Sequence, residues 1–242
     1  MKNYKLTIQY DGTNYAGWQI QRNAVTVQQT ITDAISRLIN IKVNLIGSGR
    51  TDTGVHAFGQ VANFRVEEII DAYRFKYSLN SILPSDISII KIEEVSENFH
   101  ARYDAKKRIY FYLFSNNKSP FLERYSYFYH NQLNCESLNE LSKCFIGKKD
   151  FSSFAKSGSD TVNKICNVYS ITWKMTAGIT IFQIEADRFL HGMVRTIIGT
   201  LLVAAKKGYS EKLIENIFEK KDRKASGMSV PAKGLFLYKV KY

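Results

Sequence analysis

The sequence predicts an α+β protein of two ferredoxin/RRM-like halves, each running β-α-β-β-α-β. The halves are expected to join through an extended mixed sheet with a central cleft, a usual place for a ligand. Three observations predict this. Segments that alternate apolar and polar residues are interleaved with segments whose apolar residues return every three or four positions. The element order read over residues 1–104 recurs over 105–242, although no stretch of residues repeats. At 242 residues and 45% apolar content, the chain can bury a sizeable core.

In the first half, Tyr4–Tyr10 alternates Leu6, Ile8 and Tyr10 with polar neighbours and reads as a strand. Asp11–Asn14 is a turn, followed by the aromatic cluster Tyr15-Ala16-Gly17-Trp18-Gln19. Thr26 is a natural N-cap for a helix from Val27 to about Asn40, with Val27, Ile31, Ala34, Ile35, Leu38 and Ile39 on one face. A strand over 42–46 leads into a polar loop, and Gln60–Val66 returns as another strand. A second helix is expected over about 68–80 with Ile69, Ile70, Tyr73 and Tyr77 inward, stopped by Leu83-Pro84. Ile87–Val95 closes the half as a strand.

The second half opens with a strand over Lys107–Ser115, read with Ile109, Phe111 and Leu113 toward the core. The opposite face then carries Arg108, Tyr110 and Tyr112, which puts Tyr110 toward the cleft. A helix follows over 136–146, then a basic loop through Lys156–Lys164. Asn163–Met175 and Thr180–Asp187 form a hairpin around Ala177-Gly178. Helices over about Phe189–Lys206 and 210–220 precede a final strand, Leu235–Lys241.

Charge is the strongest bulk signal. Residues 1–100 hold ten basic and ten acidic residues, so the whole net charge of +12 lies in residues 101–242. Such a balance suits a polyanionic partner, nucleic acid above all, though a generally basic surface gives the same count. No apolar run approaches a membrane span. The N-terminus has no apolar leader region, so a cytoplasmic protein is expected. Cys135, Cys144 and Cys166 form no CxxC and the four histidines are scattered, so no metal is expected.

The chemistry concentrates in Gly47–Ala57, GSGRTDTGVHA. In extended backbone Arg50 and Asp52 point to the same side, and a neighbouring cation keeps a carboxylate ionised, as a nucleophile requires. A turn-capping Asp explains Asp52 on its own equally simply. The glycines do not form a phosphate-loop pattern. The Asp52-Thr53-Gly54 tripeptide is that of aspartic proteases, but the adjacent Arg50 opposes the proton sharing between carboxylates that such sites use.

Taken whole, GSGRTDTGVHA and the following Gly59-Gln60-Val61 resemble the signature of the TruA family of tRNA pseudouridine synthases, GRTDAGVHA, with Thr53 where Ala is usual. Tyr15–Gln19 is similar to the family's FxGWQ. Phe99–Tyr112 is similar to its FxARxxAxxRxYxY, Glu185–Gly199 to FLxxMVRxxxG, and Met228–Leu237 to TAPxxGLxL. The resemblance implies the pseudouridine synthase fold and isomerisation of uridine to pseudouridine at positions 38–40, in the anticodon stem-loop of tRNA. It implies a homodimer and no cofactor. It makes Asp52 the catalytic nucleophile, with Arg50 holding the flipped nucleotide, Tyr110 contacting the base and Arg195 pairing with Asp52. Leu235 would be an apolar floor under the base. Residue by residue, a local ion pair accounts for Arg195 and a core leucine for Leu235 equally well. The alternative is a non-catalytic RNA-binding protein with two RRM-like halves, but the RNP1 pattern is absent.

Overall fold

A computed structural model describes residues 1–158, 161–208 and 210–242. The chain divides into two compact units, Met1–Lys106 with Phe236–Tyr242, and Lys107–Leu235. The sequence reading placed the last strand in the second half, whereas nearly all of it belongs to the first unit.

The first unit is an antiparallel sheet of β1 (Lys2–Tyr10), β2 (Ile46–Gly47), β3 (His56–Val66) and β4 (Ile87–Val95), in the order β4-β1-β3-β2. That order is the one a split βαβ unit produces. β10 (Leu235–Lys241) adds to β3 in parallel, Phe236 opposite His56 and Leu237 opposite Ala57. Helix α1 (Val27–Ile39) starts where predicted, with the Thr26 side chain accepting from the Gln29 amide, and ends on Asn40 in a left-handed conformation. It buries Val27, Ile31, Ala34 and Ile35.

Two elements of this unit differ from the sequence pattern. Val43 and Leu45 are buried as the alternation suggested, but only Ile46–Gly47 pairs with β3. Helix α2 (Ala72–Ile82) starts later, at an N-cap formed by Asp71, and turns the opposite face inward. Phe75, Leu79 and Leu83 form its buried i, i+4, i+8 row, with Phe75 against Phe64 of β3 at 6.2 Å between ring centroids. Ile69, Tyr73 and Tyr77 stand more than three-quarters exposed. Both rows are apolar at helical spacing, so periodicity alone had no means of choosing between them.

The second unit has β5 (Lys107–Ser115), β6 (Tyr127–Phe128), β7 (Gly147–Asp150), β8 (Ile165–Thr176) and β9 (Ile179–Ala186). Its strands run β5-β9-β8-β7, with β6 parallel to β5. Here β5-β9-β8 repeats the β1-β3-β2 order of the first unit; β6 and β7 were not foreseen. The β8–β9 turn is Ala177-Gly178, both at positive φ (48° and 75°), which makes it a type I′ hairpin. Helices α3 (Cys135–Ser142), α4 (Met193–Lys206) and α5 (Glu211–Lys220) complete the unit. Helix α3 is pinned to β8: the Trp173 amide donates to Asn139, which donates back to the Trp173 carbonyl, and the indole donates to Ser142. Helix α4 begins four residues later than expected because Gly192 precedes it at φ 73°, outside helical geometry. Ser159 and Asp160, within the predicted basic loop, lie outside the described residues.

The two faces of β5 are not as predicted. Tyr110, Tyr112 and Phe114 are buried, together with Ile109, while Phe111 and Leu113 are only half-buried. Tyr112 tolerates full burial because its hydroxyl donates to the Pro231 carbonyl at 2.8 Å, and Phe114 stacks on Trp173. Bulk and a satisfied hydroxyl outweighed the higher hydropathy of the Ile, Phe and Leu row.

Candidate active site

The Asp52 loop is built backbone first. The Val55 amide donates to the Asp52 carbonyl at 3.1 Å, and Gly54 at the third position has φ 74°, which is a type II turn. Upstream, the Ser48 amide donates to the Val61 carbonyl, Ser48 Oγ shares a 2.7 Å bond with Gln60 Oε1, and Gln60 Nε2 donates to the Gly49 carbonyl. Gln60 is thus the strand residue that holds the GSG segment. Thr51, immediately before the carboxylate, is buried and shares a 2.8 Å hydrogen bond with the Tyr10 hydroxyl.

A second loop braces the first from beneath. The Trp18 amide donates to the Thr51 carbonyl, and Gly17, at φ 88°, lies so close that a Cβ there would sit 2.4 Å from that carbonyl oxygen. Gly12 is equally tight against the Val55 carbonyl, at 2.0 Å, and Gly47 against the Trp18 indole, at 2.4 Å. The Tyr15–Gln19 cluster therefore supports the Asp52 loop. The Gly12 amide lies 3.1 Å from Nδ1 of the buried His56, which ties the turn after β1 to the start of β3. Asp11 Oδ1 approaches the same nitrogen at 3.0 Å.

The predicted site residues are distributed over the two units. Asp52, half-buried, and Arg50, exposed, belong to the first. Tyr110, Arg195 and Leu235 belong to the second. Tyr110 is 7% exposed, with its ring edge-on to Phe189 at 5.1 Å between centroids. Leu235 is buried at the start of β10, after a short 3-10 turn over Ala232–Gly234. Arg195 is half-buried in the first turn of α4; its Nε donates to the Val230 carbonyl at 2.7 Å. A cation there opposes the positive end of the helix dipole, so it needs such acceptors. Burial pushes the Tyr112 phenol well up, and the Arg195 charge partly offsets this. Tyr112, Arg195, Val230 and Pro231 thus form one local cluster.

The departures from the family pattern are explained locally. Thr53 is exposed at the second position of the turn, where any L-residue fits. Ser229 keeps the hydroxyl of the usual Thr, and shares it with Thr196 at 2.9 Å. Val230 meets Arg195 through its backbone, so its side chain is not specified by that contact. Gly192 suits its left-handed φ of 73° better than any larger residue.

A family model described as tRNA pseudouridine synthase matches residues 6–104 and 141–242. The chain belongs to the tRNA pseudouridine synthase family. Asp52, Arg50, Arg195 and Leu235 fall inside the matched segments, and Tyr110 falls between them. Proteins named tRNA pseudouridine synthase A are similar over full length. Those of Thermoanaerobacter sp. (strain X514), Acetivibrio thermocellus and Caldicellulosiruptor saccharolyticus are 42%, 44% and 44% identical, each aligned over 100% of both chains. Membership makes the protein an isomerase of the pseudouridine-forming class. Among the described residues no group of three or more His, Cys, Asp or Glu is placed to hold a metal, and no helix is long and apolar enough to cross a membrane.

Proposed function

We propose that this pseudouridine synthase isomerises uridines at positions 38–40, in the anticodon arm of tRNA, with Asp52 as the nucleophile. The observation that carries the reading is the construction of the Asp52 turn. Gly12, Gly17, Gly47, Thr51 and Gln60 all act to hold one half-buried carboxylate in a set backbone geometry. A capping Asp on a surface turn would need no such support. The reaction detaches uracil from its ribose, rotates it and rejoins it through carbon, so every atom of the substrate is retained. A covalent bond to Asp52 divides this into two easier steps. A paired base is out of reach until it is flipped, which costs about a few kcal/mol. In this reading Arg50 holds the extruded nucleotide, Tyr110 contacts its base and Leu235 is the apolar floor. Arg195 is the cation that pairs with Asp52. The enzyme acts in the cytoplasm as a homodimer, which lets one tRNA reach both protomers.

Asp52→Asn is nearly isosteric and keeps the turn. It should bind unmodified tRNA with the wild-type Kd yet form no pseudouridine when products are mapped by nucleotide. Wild-type turnover by this variant would remove the central assignment. Modification only outside positions 38–40 by the wild-type enzyme would correct the target.

A further inference from the structure

The segment from Arg223 to Val230 is strapped along one face of α4, at Arg195, Thr196, Gly199 and Thr200. The Val230 amide donates to the Arg195 carbonyl at 3.2 Å, and Arg195 Nε donates back to the Val230 carbonyl at 2.7 Å. Ser229 and Thr196 share a hydroxyl bond, and the Gly227 amide donates to Thr200 Oγ1 at 2.9 Å. Between these, Gly199 and the strap meet backbone to backbone: a Cβ on Gly199 would fall 1.7 Å from the Met228 carbonyl oxygen. One side chain gathers the strap from the other side. Arg223 Nη1 donates to Ser226 Oγ (3.0 Å) and the Gly227 carbonyl (3.2 Å), and Nη2 donates to Ser229 Oγ (3.2 Å). Ser226 Oγ in turn donates to the Ser153 carbonyl at 2.6 Å, anchoring the strap to the body of the unit.

We propose that Arg223 is a positioning residue of this isomerase, acting through the strap to set the plane of the Arg195 guanidinium. The inference rests on the assignment of Arg195 to the site. An arginine in the first turn of a helix has many rotamers, and a side chain held in one of them loses freedom that some other contact must offset. The reciprocal Val230 bonds supply that contact only if Val230 is itself fixed. Arg223 holds Ser226, Gly227 and Ser229, the residues that lead into Val230, because a planar fork of donors can grip three acceptors at once in set directions. A lysine has the charge without the fork. What Arg223 contributes is geometry and not charge.

The test is a double-mutant cycle read in kcat, with tRNA Kd and thermal midpoint measured alongside. Arg223→Ala should lower kcat about tenfold to a hundredfold, the scale of a roughly 1 Å misplacement, with tRNA Kd little changed. Arg223→Lys should not restore the rate. In an Arg195→Ala background, which is itself slow, Arg223→Ala should cause no further loss, since the two act as a unit. Ser229→Ala, a milder cut in the same strap, should show the same dependence on Arg195 if Arg223→Ala folds poorly. Additive losses would overturn the proposal, as would wild-type kcat in Arg223→Ala. A fully active Arg195→Ala would overturn it by removing Arg195 from the site. Retained inactivity of Asp52→Asn in the same assay would leave the nucleophile assignment standing, so the two failures are distinguishable.

Discussion

At the scale of single residues, the glycines of the two braced loops carry more of the site than their size suggests. Gly17 is the sharpest case, since its φ of 88° and its 2.4 Å clearance to the Thr51 carbonyl both exclude a side chain. Gly17→Ala should therefore displace Thr51 and the turn that follows it. We expect pseudouridine formation to fall at least tenfold, with tRNA binding largely kept and a stability loss of about 1–3 kcal/mol, checked by kinetics and denaturant unfolding of one preparation. The motif GSGRTDTGVHA pointed to Asp52 directly, because its residue types are unusual together. What it did not disclose was how the aspartate is held. Tyr10, Gln60 and Trp18 lie at least eight residues from it in sequence, and hydrogen bonds such as Tyr10 to Thr51 leave no periodic trace. The same holds for Arg223, which reads as one more cation in a basic stretch.

At the scale of elements, legibility followed the clarity of the pattern. Helix α1, the β8–β9 hairpin and β10 match the expected bounds nearly to the residue; the Thr26 cap marks the start of α1 and Ala177-Gly178 the turn of the hairpin. Helix α2 and strand β5 were found, but their faces were not, since each carries apolar residues on both sides. Alternation also overcalled the strand at 42–46, whose buried Val43 and Leu45 lie outside any pairing, and nothing marked the short β6 and β7. The hairpin turn yields a prediction of its own. Ala177 occupies a left-handed position, φ 48°, that costs an L-residue about 1–2 kcal/mol. Ala177→Gly should raise unfolding stability by about 1 kcal/mol, less any entropy the glycine adds to the unfolded chain. Urea denaturation measures it, and activity should not change.

At the scale of the whole molecule, composition spoke before any motif did. The segment from Lys107 to Leu235 carries 20 basic and 11 acidic residues, against 14 and 11 for the rest of the chain. An RNA substrate met by this excess releases counterions as it binds. The affinity for tRNA should thus fall steeply with salt, with a log–log slope of about −4 to −5 if about six phosphates are neutralised. Filter binding between 50 and 200 mM salt measures the slope, and a flat response would detach the charge asymmetry from substrate binding.

The parallel pairing of β10 with β3 also bears on how the molecule is made. The first unit takes one of its strands from beyond the entire second unit in the sequence. A ribosome releasing the chain from its N-terminus exposes the open edge of β3 for as long as about 170 further residues take to emerge, and at roughly 5–20 residues per second this is many seconds. Maturation of the half that holds Asp52 is thereby coupled to completion of the half that holds the basic surface.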